Sequence, residues 1–215
     1  VSGNIHPLPE LSPDLSPERR QRIVKGAAVV FVRDGYEGAS MSRIAAVANV
    51  SKGTLYNYFP SKQALFAAFV RERCEKLVEE VFGEPPASAR VDAELKRIGL
   101  VMLNLMVSAD GLALFRVVVM EAVKFPELAQ SFFNAGPKVM VSRMAEWLTR
   151  QSEAGALRVA DPFFAAEQFF ALTQARIVMR ARTDASYNAT QGEIEMVVDG
   201  AVRVFLAAHG NTTLG

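Results

Sequence analysis

Residues 41–65 read MSRIAAVANVSKGTLYNYFPSKQAL, and the punctuation of this stretch sets out three helix starts in quick succession. Ser40 just before it is placed to cap a helix through Ile44, Ala45 and Ala48, Ser51 a second through Leu55 to Phe59, and Ser61 a third. Asn49 tolerates the left-handed geometry of a tight turn between the first two. Pro60 ends the second, because proline lacks the N–H that the next turn would use. Ile44, Ala45, Ala48, Val50 and Leu55 form one apolar set that would hold the first pair of helices at a fixed angle. Ser42, Arg43, Lys52, Gly53, Thr54, Tyr56, Asn57 and Tyr58 are then left to face outward, which is rich in hydrogen-bonding groups for so short a span.

Two short helices joined by a tight turn, the second rich in small and polar residues and tyrosine, predict a helix-turn-helix that places its second helix in the major groove of double-stranded DNA. Gly53 and Thr54 would permit close approach to the groove. Lys62 adds charge beside free backbone N–H groups, a setting that suits a phosphate. The alternative for residues 52–62 is an ordinary solvated helix face.

On the N-terminal side, Ser16-Pro17-Glu18 supplies a cap, a first-turn proline and a first-turn acid. The helix they start would bury Ile23, Ala27, Val30 and Phe31 and stop at Gly35. On the other side, Leu65, Phe66, Phe69, Val70, Cys74, Leu77, Val78 and Val81 make a wide apolar stripe on a long helix reaching Gly83. Pro85 and Pro86 mark a hinge. Apolar residues recurring at three and four predict further helices over residues 89–109, 112–124, 126–152, 162–183 and 191–209, with a break at Gly136-Pro137. Asp161-Pro162 and the capping box Thr190-x-x-Glu193 support the last two starts. The fold class is all-α.

With 215 residues and half of them hydrophobic, the chain can bury a sizeable core. Its net charge of +1 is unevenly spread, +4 over residues 17–83 and −1 over residues 84–215, so the basic excess falls where DNA is expected. Cys74 is the only cysteine, and His6 and His209 the only histidines, which leaves no intrachain disulfide, no set with metal-ligand spacing and no expected cofactor. The apolar run 113–123 contains Arg116 and Glu121 and is far shorter than the ~20 residues that cross a bilayer. The opening VSGNIHPLPELSPDLSP has no apolar core segment, so a soluble, cytoplasmic protein with no membrane partner is expected, with residues 1–16 as a flexible arm. Neither a glycine-rich phosphate loop nor a nucleophile elbow is present, which argues against an enzyme on a helical scaffold.

Residues 22–69 resemble the N-terminal domain of the tetracycline-repressor (TetR) family of bacterial regulators. The resemblance rests on Gly-Tyr-x-Gly-x-Ser at 35–40, Ile44-Ala45, Val-Ser-x-Gly-Thr-Leu-Tyr at 50–56, Tyr58-Phe59 and Ser-Lys-x-x-Leu at 61–65. It implies that Lys52, Gly53, Thr54 and Asn57 approach base edges, that Ser42 and Arg43 stand at the groove margin, and that Tyr56, Tyr58 and Lys62 hold phosphates. Residues 112–137 look like the subgroup with an AefR-like C-terminal domain, often linked to efflux and stress control. The resemblance also implies a helix-turn-helix domain over residues 17–62, joined by a long fourth helix to a ligand-binding and dimerisation domain over residues 63–215. The last two long helices would pair with those of a second subunit.

Phe69, Met102, Leu105, Met106, Phe115, Met120, Phe133, Trp147 and Phe170 would together line a soft apolar cavity, although taken singly all but Phe69 fit a core better than a pocket, and Phe69 fits either. Arg116, Glu121 and Gln174 are the polar residues best placed to orient a ligand, and Asn104 is a further one. The resulting expectation is a homodimeric repressor that holds a palindromic operator and is released by a small hydrophobic or amphipathic ligand. A ligand-independent DNA-binding dimer is the alternative.

Overall fold

A computed structural model of the chain describes residues 16–83 and 90–211, so the expected arm before Ser16 and the hinge at Pro85-Pro86 lie outside the described residues. Those residues form helices and turns, with one isolated bridge between Leu157 and Gly210. They divide into two compact units, ending at Phe69 and beginning at Val70.

In the first unit, α1 (Pro17–Gly38), α2 (Met41–Val47), α3 (Lys52–Tyr58) and the start of α4 (Lys62–Phe82) follow their caps closely. Ser16, Ser40 and Ser51 accept from the N–H groups of Arg19, Arg43 and Thr54, and Ser61 from that of Ala64, so each start has an orphan donor satisfied. Asn49 is left-handed, with φ 52°, as the tight turn requires. Gly35 does not end α1 outright. At φ 70° it breaks the helix, and the last turn continues to Gly38 in a new direction, burying Tyr36 completely. Tyr36 lies 5.9 Å from the ring of Phe31 and 5.3 Å from that of Phe66, and Phe69 completes the cluster at 6.0 Å from Phe31.

The second unit holds α5 (Val91–Val107), α6 (Ala109–Glu121), α7 (Pro126–Ala135), α8 (Pro137–Glu153), α9 (Pro162–Thr173), α10 (Ile177–Thr183) and α11 (Gln191–His209). Leu95, Ile98 and Leu103 of α5, Met144 and Leu148 of α8, Phe169 of α9 and Val198 and Phe205 of α11 meet in its core. Gly99 lets α5 and α11 touch, since a methyl group there would sit 2.8 Å from a Val198 methyl. Cys74 is buried, and burial pushes its thiol up to about 11, as an inert core cysteine should be.

Gly136-Pro137 separates α7 from α8 as the sequence predicts, while two expected boundaries are corrected. α6 begins at Ala109 rather than Leu112, because Ser108 accepts from the Gly111 N–H and caps it. The single helix expected over residues 162–183 is two. Thr173 Oγ1 and Gln174 Nε2 both donate to the Phe170 carbonyl, at 2.9 and 3.0 Å, and the Gln174 N–H turns to Ala171 instead. Arg176 then takes φ 65°, with the Ile177 N–H on the Ala175 carbonyl, which is a strained γ-turn.

The first unit depends on a close crossing of α1 and α2. A Cβ added at Gly26 would lie 2.9 Å from the Ala48 Cβ and 3.0 Å from its backbone nitrogen. Gly26→Ala should therefore destabilise the protein by about 1–3 kcal/mol despite alanine's better helix propensity. Chemical denaturation measures this directly. A raised midpoint would show that the crossing has room.

Candidate nucleic-acid interface

The short pair α2 and α3 is held from beneath by Ile44, Ala45, Ala48 and Leu55, all buried, with Val50 partly so. Ser42, Arg43, Lys52, Gly53, Tyr56 and Asn57 are exposed along it, as the sequence predicts. Thr54 is half-buried, and its hydroxyl shares a 2.8 Å hydrogen bond with Ser51, so its outer face is partly committed to the helix start. Arg43 lies 3.4 Å from Asp34, which also holds Arg33 at 2.9 Å. The Arg33 hydrogen bond outweighs desolvation and, with the charges of Arg33 and Arg43, keeps the Asp34 carboxyl below the usual range. Arg43 is thus steered by an anion at the edge of the exposed face.

Two expected phosphate contacts are placed differently. Tyr58 does not face outward: it is 7% exposed, and its hydroxyl donates to the Ser16 carbonyl at 3.4 Å. Residue 58 is three on from Leu55, so a helix that buries the one brings the other round to the same face. Lys62 turns its ammonium group inward, donating to the carbonyls of Tyr36 at 2.7 Å, Ala39 at 3.0 Å and Glu37 at 3.3 Å. The same group stands 4.5 Å from the centre of the Tyr36 ring. Of the three tyrosine and lysine positions assigned to phosphates, Tyr56 is the one on the exposed face.

The expected ligand-lining residues are not brought together. Phe69 belongs to the aromatic cluster of the first unit, and Met102, Trp147 and Phe170 are fully engaged in the core of the second. Met106 is partly buried against that core. Met120 and Phe133 lie on the surface, 78% and 57% exposed, and Arg116, one turn before Met120, is exposed too. Phe115 is covered by the Arg182 guanidinium, 3.7 Å above its ring. Glu121 is buried, and Gln174 is occupied by the Phe170 carbonyl.

An open groove of about 680 Å³ instead lies among α4, α5, α6 and the start of α11, with Leu100, Val101 and Leu105 as its apolar wall. Arg73, Asn104 and Asp110 stand at its polar side, and Arg73 and Asp110 pair at 3.0 Å. Of the expected lining set only Leu105 lines it, with Asn104 beside it among the polar residues singled out. Arg73 and Asp110 are ordinary charged residues in sequence, and no local pattern marks them as neighbours. Among the described residues no group of histidine, cysteine and carboxylate side chains could hold a metal ion, and no single helix is long and apolar enough to cross a membrane.

Residues 23–69 match the family described as bacterial regulatory proteins, tetR family, and residues 93–211 match the AefR-like transcriptional repressor C-terminal domain. The transcriptional repressor KstR of Mycobacterium tuberculosis is 29% identical over 171 residues, covering 67% of this chain and 78% of that protein. The regulator RutR of Escherichia coli is 28% identical over 158 residues, 73% of this chain and 72% of RutR. The repressor AcnR of Corynebacterium diphtheriae is 38% identical over 63 residues, and there the chain spans only a third of the relative. Among solved structures, a flavonoid-responsive regulator, FrrA, aligns with TM-score 0.79 and 30% identity over 92% of this chain and all of its own. A regulator from Mesorhizobium loti shares the fold at TM-score 0.82 and 24% identity, over 90% of this chain and 97% of its own. These relatives are transcription regulators rather than enzymes. With its DNA-reading end and more than half of its length matched in this way, the chain belongs to the TetR family of DNA-binding transcription regulators.

Proposed function

We propose that the protein is a homodimeric repressor that holds a palindromic operator and lets go when a small hydrophobic or amphipathic ligand binds in its C-terminal unit. The observation that carries DNA holding is the exposed row Ser42, Arg43, Lys52, Gly53, Tyr56 and Asn57 on a capped, buried-backed helix pair. Lys52, Gly53 and Asn57 reach base edges in this reading, Thr54 gives its outer side, and Arg43 and Tyr56 hold the backbone. The helix-turn-helix domain runs over residues 17–62 and the ligand-binding and dimerisation domain over residues 63–215. The protein works in the cytoplasm, where its single cysteine stays reduced.

Dimerisation is supported by apolar residues that the chain leaves uncovered on its last helices. Phe163 and Phe164 of α9, Met179 of α10 and Met196 and Val204 of α11 are each more than half exposed. Met196 and Val204 are two turns apart on one helix stripe. A second copy covering this face through the same helices would bury it by two-fold symmetry and set the two α3 helices about one DNA turn, ~34 Å, apart.

Ligand release is supported by the open groove beside α4, where Leu100, Val101 and Leu105 form an apolar wall among polar and charged residues of both signs. A ligand there must favour the released arrangement by about 5 kcal/mol to empty a nearly full operator. FrrA is named for its response to flavonoids, so a planar, largely apolar phenol is the first compound to try.

Footprinting on genomic fragments that include the protein's own promoter region should reveal a protected palindrome, lost when a planar flavonoid or another apolar effector is added. Protection of no palindrome would sink the repressor reading. Protection that survives a broad effector screen, with no thermal shift, would favour a ligand-independent dimer. Asn57→Ala should cost about 1–3 kcal/mol on the operator and little on random DNA. Equal losses on both would remove Asn57 from base reading.

A further inference from the structure

Lys62 carries the same sequence cue as a phosphate-binding lysine, yet its geometry gives it another task. An ammonium group has three protons and no acceptor capacity. In this structure the carbonyls of Tyr36, Glu37 and Ala39 lie 2.7 to 3.3 Å from Nζ, and the Tyr36 ring lies beneath it.

The three acceptors sit at a place that needs a cation. Gly35 breaks α1, and the last carbonyls of a helix carry partial negative charge with no helical partner. The last turn of α1 has no basic residue of its own. Lys62 supplies the missing charge from the first turn of α4, 23 to 26 residues along the chain. One turn further along α4, Phe66 packs edge-on against Tyr36, so the ammonium group and the aromatic contact grip the same tail.

What is gripped is the entry to the DNA-reading pair. Ala39, whose carbonyl accepts from Lys62, directly precedes Ser40, the cap of α2. Lys62 thus ties the start of α4 to the residue just before α2.

We propose that Lys62 is a positioning residue for DNA binding: its ammonium group clamps the α1–α2 connection to the first turn of α4, and it does not neutralise a DNA phosphate.

The two roles differ in how binding responds to salt. Each phosphate neutralised by a lysine adds about 0.9 to the slope of log affinity against log salt, so a symmetric dimer that loses two such contacts loses a slope of nearly 2. Loss of a clamp misplaces the recognition helix without changing the number of counterions released by the remaining contacts. The probe is a duplex selected from random sequence by the wild-type protein, titrated without effector over a range of salt.

Lys62→Met should weaken binding to that duplex by ~10-fold or more, because three charge-assisted hydrogen bonds are lost. The salt slope should stay at the wild-type value. Lys62→Gln, which keeps two donors without the charge, guards against misfolding and should bind more tightly than the methionine variant, again with unchanged slope. A slope reduced by about 1 per subunit in either variant, or affinity untouched by both, would overturn the clamp.

A measurement without DNA separates the clamp from the DNA-binding reading. The Lys62 ammonium protons of the free wild-type protein should exchange slowly enough to give a nitrogen-15 correlated signal that Lys62→Gln abolishes. Fast exchange like that of exposed lysines would contradict the proposal even if DNA binds.

Discussion

A helix of seven residues closes too few internal hydrogen bonds to persist alone, and both DNA-reading helices are of that length. They depend on outside support. Ser40 and Ser51 satisfy their first donors, Ile44, Ala45 and Leu55 are buried against the rest of the unit, and Gly26 lets α1 approach Ala48 closely enough to seal them. The outward positions Ser42, Arg43, Lys52, Tyr56 and Asn57 can then be polar, because the buried side and the caps hold the pair. This division between a buried side that specifies shape and an outer side that is free to vary is what lets one scaffold read different DNA sequences.

The parts of this arrangement that could be read from the sequence are those set by neighbours within one turn. Serine caps, the left-handed Asn49, the Gly136-Pro137 break and the Thr190–Glu193 capping box all stand where local rules put them. The misplacements come from contacts across the chain. Lys62 looks like a solvent-facing cation until Gly35 turns the tail of α1 toward it. Tyr58 looks outward until α3 is set down with Leu55 inside. The break after Thr173 has no glycine or proline to announce it, only two side chains that compete for the Phe170 carbonyl.

The ligand residues were the least legible for a related reason. Aromatic and methionine side chains fill a core and line a cavity with equal ease, so their presence does not say which. Trp147 and Phe170 fill, Met120 and Phe133 face outward, and the open space lies instead beside Leu100, Val101 and Leu105. The groove borders α4, a helix held by cations at both ends. Lys62 fastens its first turn to the tail of α1, and Arg97, braced by the buried Glu94, donates to the Val81 and Glu80 carbonyls near its last.

The most direct test of the account is a structure of the protein bound to its selected DNA duplex. The account predicts α3 in the major groove with Lys52 and Asn57 at base edges, Tyr56 on the backbone and Lys62 still on the carbonyls of Tyr36, Glu37 and Ala39. A complex in which α3 lies outside the groove, or in which Lys62 has left those carbonyls for a phosphate, would contradict it.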